Sequence, residues 1–243
     1  HRELIKFNLR KADKILSTSH VMAKETGKYT RQAIAVTPFG IDLNRFKPMP
    51  VKSLFDENAI VIGTVKWLDH LYGIEFLLKA FKILETKYPH WPLRLLIVGS
   101  GPLEKALKDL AKALNIENKT VFTGRVNVDE VPQYHNMLTV FVSLSVWDSD
   151  SFGVVNIEAS ACEKPAVVAN VGGLPEVVAD GVTGFVVPPK NPEKAAAAIE
   201  KLILDKELRM KMGRAGRDRV TKLYNWEENV EQMIDIYKGL LRK

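Results

Sequence analysis

Two carboxylates, Asp150 and Glu158, are separated by seven residues, and Gly153 lies between them. Glycine lets the backbone approach a ligand closely, and we predict that a helix begins there, with free amides and a dipole that favour a phosphate. Glu158 could accept two hydrogen bonds from a vicinal diol such as a ribose, and Asp150 could reach a sugar hydroxyl. The spacing fits a structural role equally well, with Asp150 and Ser151 as helix caps and Glu158 on the surface of an amphipathic helix.

Two further loops hold residues that could contact a ligand. The first spans 66–73, and the second is the turn Gly99-Ser100-Gly101-Pro102. Its glycines let backbone amides approach a ligand, and a proline in the first helical turn costs no hydrogen bond. Glu104 stands where a dinucleotide-binding fingerprint needs its third glycine, and the Gly-Lys-Ser/Thr ending of a P-loop is also missing. The turn therefore fits a ligand contact and a plain strand-to-helix connection about equally.

The elements that must position these loops alternate along the chain. From residue 59 onward, short apolar runs are followed by longer segments of helical periodicity, which predicts an α/β fold with a parallel sheet and helices on both faces. The predicted strands are 59–65, 93–98, 119–123, 139–143, 166–169 and 184–187. The predicted helices include 74–86, 102–114, 192–205, 206–223 and 226–241. In such a sheet ligands bind beyond the carboxyl ends of the strands, where all three loops lie.

The first part of the chain has a different character. Residues 1–50 read as helix, strand, helix, strand, with the strands at 15–17 and 34–37, and end in a Pro- and Gly-rich stretch. We interpret 1–50 as the remnant of an N-terminal domain with its interdomain linker. Residues 51–243 then form a second domain that ends in a helical tail. His1 is neither an initiator Met nor the start of an apolar signal core, so we expect a point inside a longer chain.

The composition narrows the classes of protein. The chain has 243 residues, 46% of them hydrophobic, which suffices for a substantial core. Its apolar runs are far shorter than the ~20 residues that cross a bilayer. A single cysteine, Cys162, excludes an internal disulfide and a multi-cysteine metal site and favours a reducing compartment, so we expect a cytoplasmic protein. The five histidines lack zinc-like spacing.

The positive charge gives a weaker indication. The net charge is +6, but the basic residues are scattered over helical segments with interleaved Asp and Glu. This pattern is more typical of a solvated basic surface than of a polyanion site, and we expect no nucleic-acid partner. A peripheral contact with the inner face of a membrane, where a lipid-linked acceptor could reside, stays open.

Several motifs together resemble the family-4 retaining glycosyltransferases of the GT-B fold. The motifs are Asp150-Ser151-Phe152-Gly153 with Glu158-Ala159, 165–169, 172–178, 180–189, 224–226, 99–102, 122–126, and 38–42 with Phe46. They extend over essentially the whole chain. The resemblance implies a Rossmann-like, nucleotide-sugar-binding domain, the C-terminal half of such an enzyme.

The resemblance assigns roles to individual residues. Glu158 would hold the nucleotide ribose, Asp150 the transferred sugar, and Lys66 would neutralise the leaving diphosphate. The remaining donor contacts that it implies are Gly99, Gly101, Arg125, Val126, Ser151, Phe152, Gly153 and Val154, with Arg125 and Val126 near the base. It implies no metal and no cofactor, because protein cations would replace the metal of other glycosyltransferases.

The chain departs from the family pattern at four positions. Asp150 replaces the more usual glutamate, and Leu144 and Glu163 replace a proline and a glycine. Leu71 stands where the family has a second lysine, so one charge that should stabilise the departing phosphates is missing. His70 could compensate in part, although an exposed loop histidine without a role is the more common case.

The activity implied is that of a metal-independent hexosyltransferase. It would move a sugar from a nucleoside diphosphate sugar to a saccharide or lipid-linked acceptor with retention of configuration, the leaving phosphate assisting the acceptor. The acceptor would bind mainly to the N-terminal domain, so we expect this chain to bind donor but transfer poorly. Two alternatives stay open: a GT-B sugar-nucleotide epimerase, and a degenerate, non-catalytic nucleotide-binding module.

Overall fold

The computed structural model describes residues 1–241, and its first elements form a small unit of their own. Helix α1 (Arg2–Lys11) precedes strand β1 (Ile15–Ser17), helix α2 (His20–Gly27) and strand β2 (Ile34–Val36). The two strands pair in parallel, with Ile15 opposite Ile34. The predicted order of helix, strand, helix, strand is therefore confirmed.

The rest of the chain alternates strands and helices. The strands are β3 (Ile60–Val65), β4 (Leu93–Val98), β5 (Thr120–Phe122), β6 (Val140–Ser143), β7 (Ala166–Ala169) and β8 (Gly184–Val187). The helices are α3 (Ile74–Lys87), α4 (Glu104–Ala113), α5 (Val131–Met137), α6 (Val154–Ala161), α7 (Leu174–Val177), α8 (Pro192–Leu204), α9 (Lys206–Leu223) and α10 (Trp226–Leu241). Every predicted strand is present within about one residue of its predicted ends.

The six strands form one parallel sheet in the order β5-β4-β3-β6-β7-β8. Apolar side chains alternate between its two faces and build two clusters. Helices α3, α4 and α8 cover one face, where Phe81 and Leu95 are fully buried. Helices α6, α7 and α9 cover the other, where Phe141 and Ile157 are fully buried. The predicted fold class, a parallel sheet with helices on both faces, is confirmed.

The segments around Ile41 and around residues 224–226 lie next to each other and are joined by backbone hydrogen bonds. The Ile41 amide donates to the Tyr224 carbonyl at 2.7 Å, and the Trp226 amide donates back to the Ile41 carbonyl at 3.2 Å. A third link comes from Glu176, whose carboxylate accepts from the backbone amides of His20 at 2.8 Å and Val21 at 2.6 Å. The division of the chain near residue 50 stays a prediction. Residues 242–243 of the predicted second domain lie outside the described residues.

One departure from the family pattern has a visible local consequence. Glu163, where a glycine is usual, adopts the left-handed conformation with φ of 57°, a conformation that costs most residues roughly 1–2 kcal/mol.

Within residues 1–241, no helix is long and apolar enough to cross a membrane.

Candidate functional site

The strand order creates a crevice at the carboxyl ends of β3 and β6. The chain winds away from β3 on one side, towards β4 and β5, and away from β6 on the other, towards β7 and β8. The connections after these neighbouring strands therefore diverge, and open α/β sheets bind ligands at this point. Lys66 follows β3 directly, and the loop 144–153 follows β6.

A buried ion pair joins the two sides of the crevice. The Lys66 ammonium lies 2.7 Å from Oδ2 of Asp150, and the two side chains are only 5% and 9% exposed. The Ser145 hydroxyl donates to the same carboxylate oxygen at 2.6 Å, and the Lys66 Nζ lies 3.4 Å from the Ser145 Oγ. The Lys66 Nζ also lies 4.3 Å from the centre of the Tyr72 ring, in a cation–π contact.

Burial changes the proton affinity of this cluster. Desolvation lowers the pKa of Lys66, and the neighbouring Asp150 carboxylate opposes that change. Burial also raises the pKa of Tyr72, with smaller contributions from the charges of Asp150 and Asp69. Tyr72 therefore presents a neutral phenol, and the ion pair gives the crevice a cation and an anion in direct contact.

The loop that carries Asp150 is shaped by two consecutive glycines after β7. The Gly172 amide donates to Oδ1 of Asp148 at 3.1 Å, and the Gly173 amide donates to the Asp150 carbonyl at 3.1 Å. Gly172 has a φ of +50°, and a Cβ at that position would lie 2.2 Å from the Asp150 carbonyl oxygen. Only glycine fits there without moving the loop.

Helix α6 begins in this crevice as predicted. Its N-cap is Gly153, in the left-handed conformation with φ of 76°. No side chain caps the helix, so Asp150 and Ser151 do not have the structural role of caps. The first amides of a helix lack intrahelical partners, and together with the helix dipole they favour an anion. Val154 and Val155, the first two helical residues, line the crevice.

Two adjoining cavities occupy the crevice and share Lys66, Trp67 and Val155. The first, of about 350 Å³, is lined by Phe39, Lys66, Trp67, Leu71, Tyr72 and residues 149–155. The second, of about 510 Å³, is lined by Val65, Lys66, Trp67, 98–100, Arg125, Val126, Val131, Val155 and Glu158. The shared wall holds the Lys66 ammonium and Val155 of the first turn of α6, so an anionic group would fit where the two cavities meet.

Glu158 reaches the second cavity from the second turn of α6. Its side chain is 17% exposed, and Oε2 lies 3.0 Å from Nε2 of His135, which is fully buried. The alternative interpretation, a plain surface position on an amphipathic helix, is therefore wrong for Glu158. The carboxylate is anchored at one oxygen and faces the cavity.

The structure distributes the other predicted residues unevenly. Ser151, Phe152, Gly153 and Val154 line the first cavity, and Gly99, Arg125 and Val126 line the second. Gly101 lies outside both. Its turn is hydrogen-bonded to Leu68, whose amide donates to the Ser100 carbonyl at 2.9 Å.

Leu71, which stands where the family has a second lysine, faces the site. Leu71 lines the first cavity together with Lys66, so the uncharged side chain stands on the cavity wall. The neighbouring His70 is exposed on the same 3-10 turn, His70–Tyr72. Leu144, which replaces a proline, is buried at the start of the loop after β6.

Four residues of the site were not assigned a role individually, although Trp67 and Tyr72 lie in the loop 66–73 that was expected to contact a ligand. Ser145, Tyr72 and His135 carry polar groups or rings that contact Lys66, Asp150 or Glu158, and Trp67 is 55% exposed on the wall shared by both cavities. Position after a strand end does indicate Trp67 and Ser145, each of which lies within two residues of β3 or β6. No pattern in the sequence indicates His135.

The described residues also bear on metal and thiol chemistry. Among residues 1–241, no three His, Cys, Asp or Glu side chains are grouped so as to hold a metal ion. Cys162 is buried, and desolvation raises the pKa of its thiol to about 12. The thiol is therefore protonated at neutral pH.

Comparison with known proteins places the chain in a family. The model of the family "Glycosyl transferases group 1" matches residues 46–219. The chain is 31% identical over 213 residues to the GDP-mannose-dependent alpha-(1-6)-phosphatidylinositol monomannoside mannosyltransferase of Mycobacterium tuberculosis, covering 83% of this chain and 55% of that protein. It is 32% identical over 221 residues to the D-inositol 3-phosphate glycosyltransferase of Corynebacterium urealyticum, covering 85% of this chain and 51% of that protein.

Solved structures agree with the sequence relatives. Sucrose-phosphate synthase from Thermosynechococcus elongatus superposes with a TM-score of 0.85 and 27% identity, covering 99% of this chain and 61% of that one. The chain spans about half the length of the two curated relatives named above. Because the family model covers well over half of the chain and the sheet has the corresponding architecture, this protein belongs to the group 1 glycosyltransferases, which are of the GT-B type.

Proposed function

We propose that this chain is the donor-binding half of a retaining, metal-independent hexosyltransferase of family 4. The observation that carries the proposal is the convergence of Lys66, Asp150, Glu158 and the start of α6 on two adjoining cavities. A nucleoside diphosphate sugar has the matching order of parts: a nucleoside, an anionic diphosphate and an uncharged sugar.

In this proposal the nucleoside occupies the second cavity. Glu158 accepts hydrogen bonds from the ribose hydroxyls, and the base lies near Arg125 and Val126. The apolar walls supplied by Val65, Val98 and Val131 suit the flat face of a base. Gly99 lets the backbone approach from the side of β4.

The diphosphate lies between the cavities, beside Lys66 and the first amides of α6. Lys66 then exchanges part of its contact with Asp150 for the phosphate oxygens. Asp150 uses Oδ2 for Lys66 and Ser145, and Oδ1 is left for a hydroxyl of the transferred sugar. Ser151, Phe152 and Gly153 border the sugar in the first cavity.

The transfer breaks the bond between the anomeric carbon and the diphosphate oxygen and forms a bond to the acceptor oxygen on the same face of the sugar. The acceptor proton passes to the leaving phosphate, so no protein nucleophile takes part. Lys66 and the α6 amides stabilise the negative charge that develops on the diphosphate. About half of each curated relative has no counterpart in this chain. We propose that the saccharide or lipid-linked acceptor binds mainly to that part of the protein.

Calorimetric titration of the 243-residue chain with UDP, GDP and ADP and their sugar conjugates tests the proposal. We expect the nucleotides of one base to bind saturably. Glu158→Ala should weaken that binding about tenfold or more, since hydrogen bonds to a charged group contribute ~1.5–3 kcal/mol. Glu193→Gln, at an exposed position on α8, serves as the control and should bind like the wild type. Addition of EDTA should change nothing. If none of these nucleotides or sugar conjugates bound, the proposal would be contradicted.

A second candidate is a nucleotide-binding module without transferase activity. Leu71 favours it, because the cavity wall that should carry a second cation is uncharged. Tight donor binding without any donor hydrolysis or transfer, even in a full-length chain supplied with acceptor, would identify this case.

A further inference from the structure

His135 is a fully buried histidine that contacts the candidate site through one atom. Its Nε2 lies 3.0 Å from Oε2 of Glu158. The ring packs between Phe46 and Phe141, with centroid distances of 6.2 Å and 5.6 Å. Within residues 1–241, His135 is the only side chain hydrogen-bonded to the Glu158 carboxylate. The histidine has no exposed surface, so it cannot touch a ligand in the cavity.

The surroundings of the ring decide which nitrogen carries the proton. Nδ1 of His135 is buried and has no hydrogen-bond partner among the described residues. A buried N–H without an acceptor is rarer than a buried acceptor without a donor. One tautomer of the imidazole gives Nε2 a proton to donate to Glu158 and leaves Nδ1 without a proton, so that no buried N–H lacks an acceptor.

We propose that His135 is a positioning residue for the donor nucleotide, acting through Glu158. The inference rests on the proposed function, in which Glu158 binds the ribose hydroxyls. By holding Oε2, the imidazole fixes the rotamer of a side chain with three torsion angles and leaves Oε1 for the ribose. Without this bond the carboxylate would have to be ordered by the ligand itself, and that ordering weakens binding.

The consequence is specific to the ribose hydroxyls. A structural defect at His135 would weaken the binding of any nucleotide, whereas loss of positioning weakens only the part of the affinity that depends on the diol. The measurable quantity is therefore the ratio of the dissociation constants of a 2′,3′-dideoxynucleoside diphosphate and its ribose counterpart.

The experiment compares UDP, GDP and ADP with their dideoxy forms on the wild type, Glu158→Ala, His135→Leu, His135→Gln and the exposed control His90→Leu. In the wild type and the control, we expect the ribose form to bind at least about tenfold more tightly, the size of a hydrogen bond to a charged group. In His135→Leu the ratio should fall towards that of Glu158→Ala, with little change for the dideoxy form. His135→Gln, which keeps an N–H donor within reach of Glu158, should recover part of the ratio.

The outcomes separate the two proposals. A wild type that does not distinguish ribose from dideoxy forms overturns the role of Glu158 and this inference with it. A wild-type ratio that depends on Glu158 but survives in His135→Leu overturns the inference alone, as does an equal loss for both forms. If His135→Leu fails to fold, ¹⁵N NMR of the wild-type imidazole tests the contact directly. A protonated Nε2 with a bare Nδ1 is expected, and a protonated Nδ1 with a bare Nε2 would contradict the proposed contact.

Discussion

The Lys66 ammonium and the Asp150 carboxylate lie 2.7 Å apart across the crevice between β3 and β6, although they are 84 positions apart in the sequence. The family resemblance assigns these groups to different parts of the donor, the diphosphate and the sugar. In the fold they neutralise each other at a site where both are almost fully buried. In the proposed function, donor binding therefore competes with an existing ion pair.

Removal of either partner of this pair should destabilise the protein. Lys66→Met and Asp150→Asn should each lower the free energy of unfolding by about 3 kcal/mol, because each leaves a buried polar group without its partner. The double variant should lose clearly less than the sum of the two. Urea denaturation measures all three. Lys105→Met, which removes the exposed pair with Asp109, is the control and should have no measurable effect. Strictly additive losses would show that the two groups do not interact.

The shape of the site loop should depend on the glycine at position 172. Gly172→Ala adds a Cβ that would lie 2.2 Å from the Asp150 carbonyl oxygen, so the loop must move. We expect about a tenfold or greater loss of nucleotide-sugar affinity, the size of one lost hydrogen bond to a charged group. Gly181→Ala is a matched control, because Gly181 also has a positive φ, +71°, but nothing lies within 4 Å of its added Cβ. That control should cost roughly 1–2 kcal/mol of stability and leave affinity unchanged. Equal affinities in the two variants would contradict the prediction.

A cation at position 71 should strengthen diphosphate binding. Leu71 lines the first cavity beside Lys66, and Leu71→Lys places a second positive charge there. We expect about five- to tenfold tighter binding of the nucleoside diphosphate, corresponding to ~1 kcal/mol of additional Coulomb attraction. The gain should shrink at high salt because ions screen it. Leu71→Met controls for side-chain shape and His70→Lys for net charge. Tighter binding in His70→Lys to the same degree would mean that position 71 has no special geometry.

The buried thiol should give a pH-dependent contribution to stability. Burial raises the pKa of Cys162 to about 12, whereas the pKa of a cysteine thiol in an unfolded chain is about 8.5. The unfolded state therefore releases its proton first as pH rises, and the contribution is complete below about pH 8.5 and is lost between about pH 8.5 and 12. The stability difference between the wild type and Cys162→Ala should fall by up to about 1.4 kcal/mol per pH unit in that window. Urea denaturation of both proteins across this pH range measures it, and a constant difference would contradict the raised pKa.

Labelling of the thiol offers an independent check. Cys162 is the only cysteine in the sequence, so Cys162→Ala gives the background. A thiol reagent should react slowly with the native protein near neutral pH and rapidly after denaturation in guanidinium. Fast native labelling would show that the thiol is accessible.

Much of the fold could be predicted from local patterns. Apolar runs such as Leu93–Val98 and the stripe of Ile74–Lys87 follow the periods of a buried strand and an amphipathic helix, and both are present at the predicted positions. These periods are properties of neighbouring residues, so they can be recognised without knowledge of the rest of the chain. The start of α6 beside Gly153 was predicted from the glycine between the two carboxylates and not from a periodic pattern.

The sequence by itself determined which residues follow each strand, and hence that Lys66, Asp150 and Glu158 would lie at one edge of a parallel sheet. Only the tertiary structure decided which of them touch. The ion pair of Lys66 with Asp150 exists because β3 and β6 are neighbours, a pairing that strand periodicity does not encode. The contact of His135 with Glu158 depends likewise on the packing of α5 against α6. Such contacts are set by strand order and helix packing, which bring together residues that lie far apart in the chain.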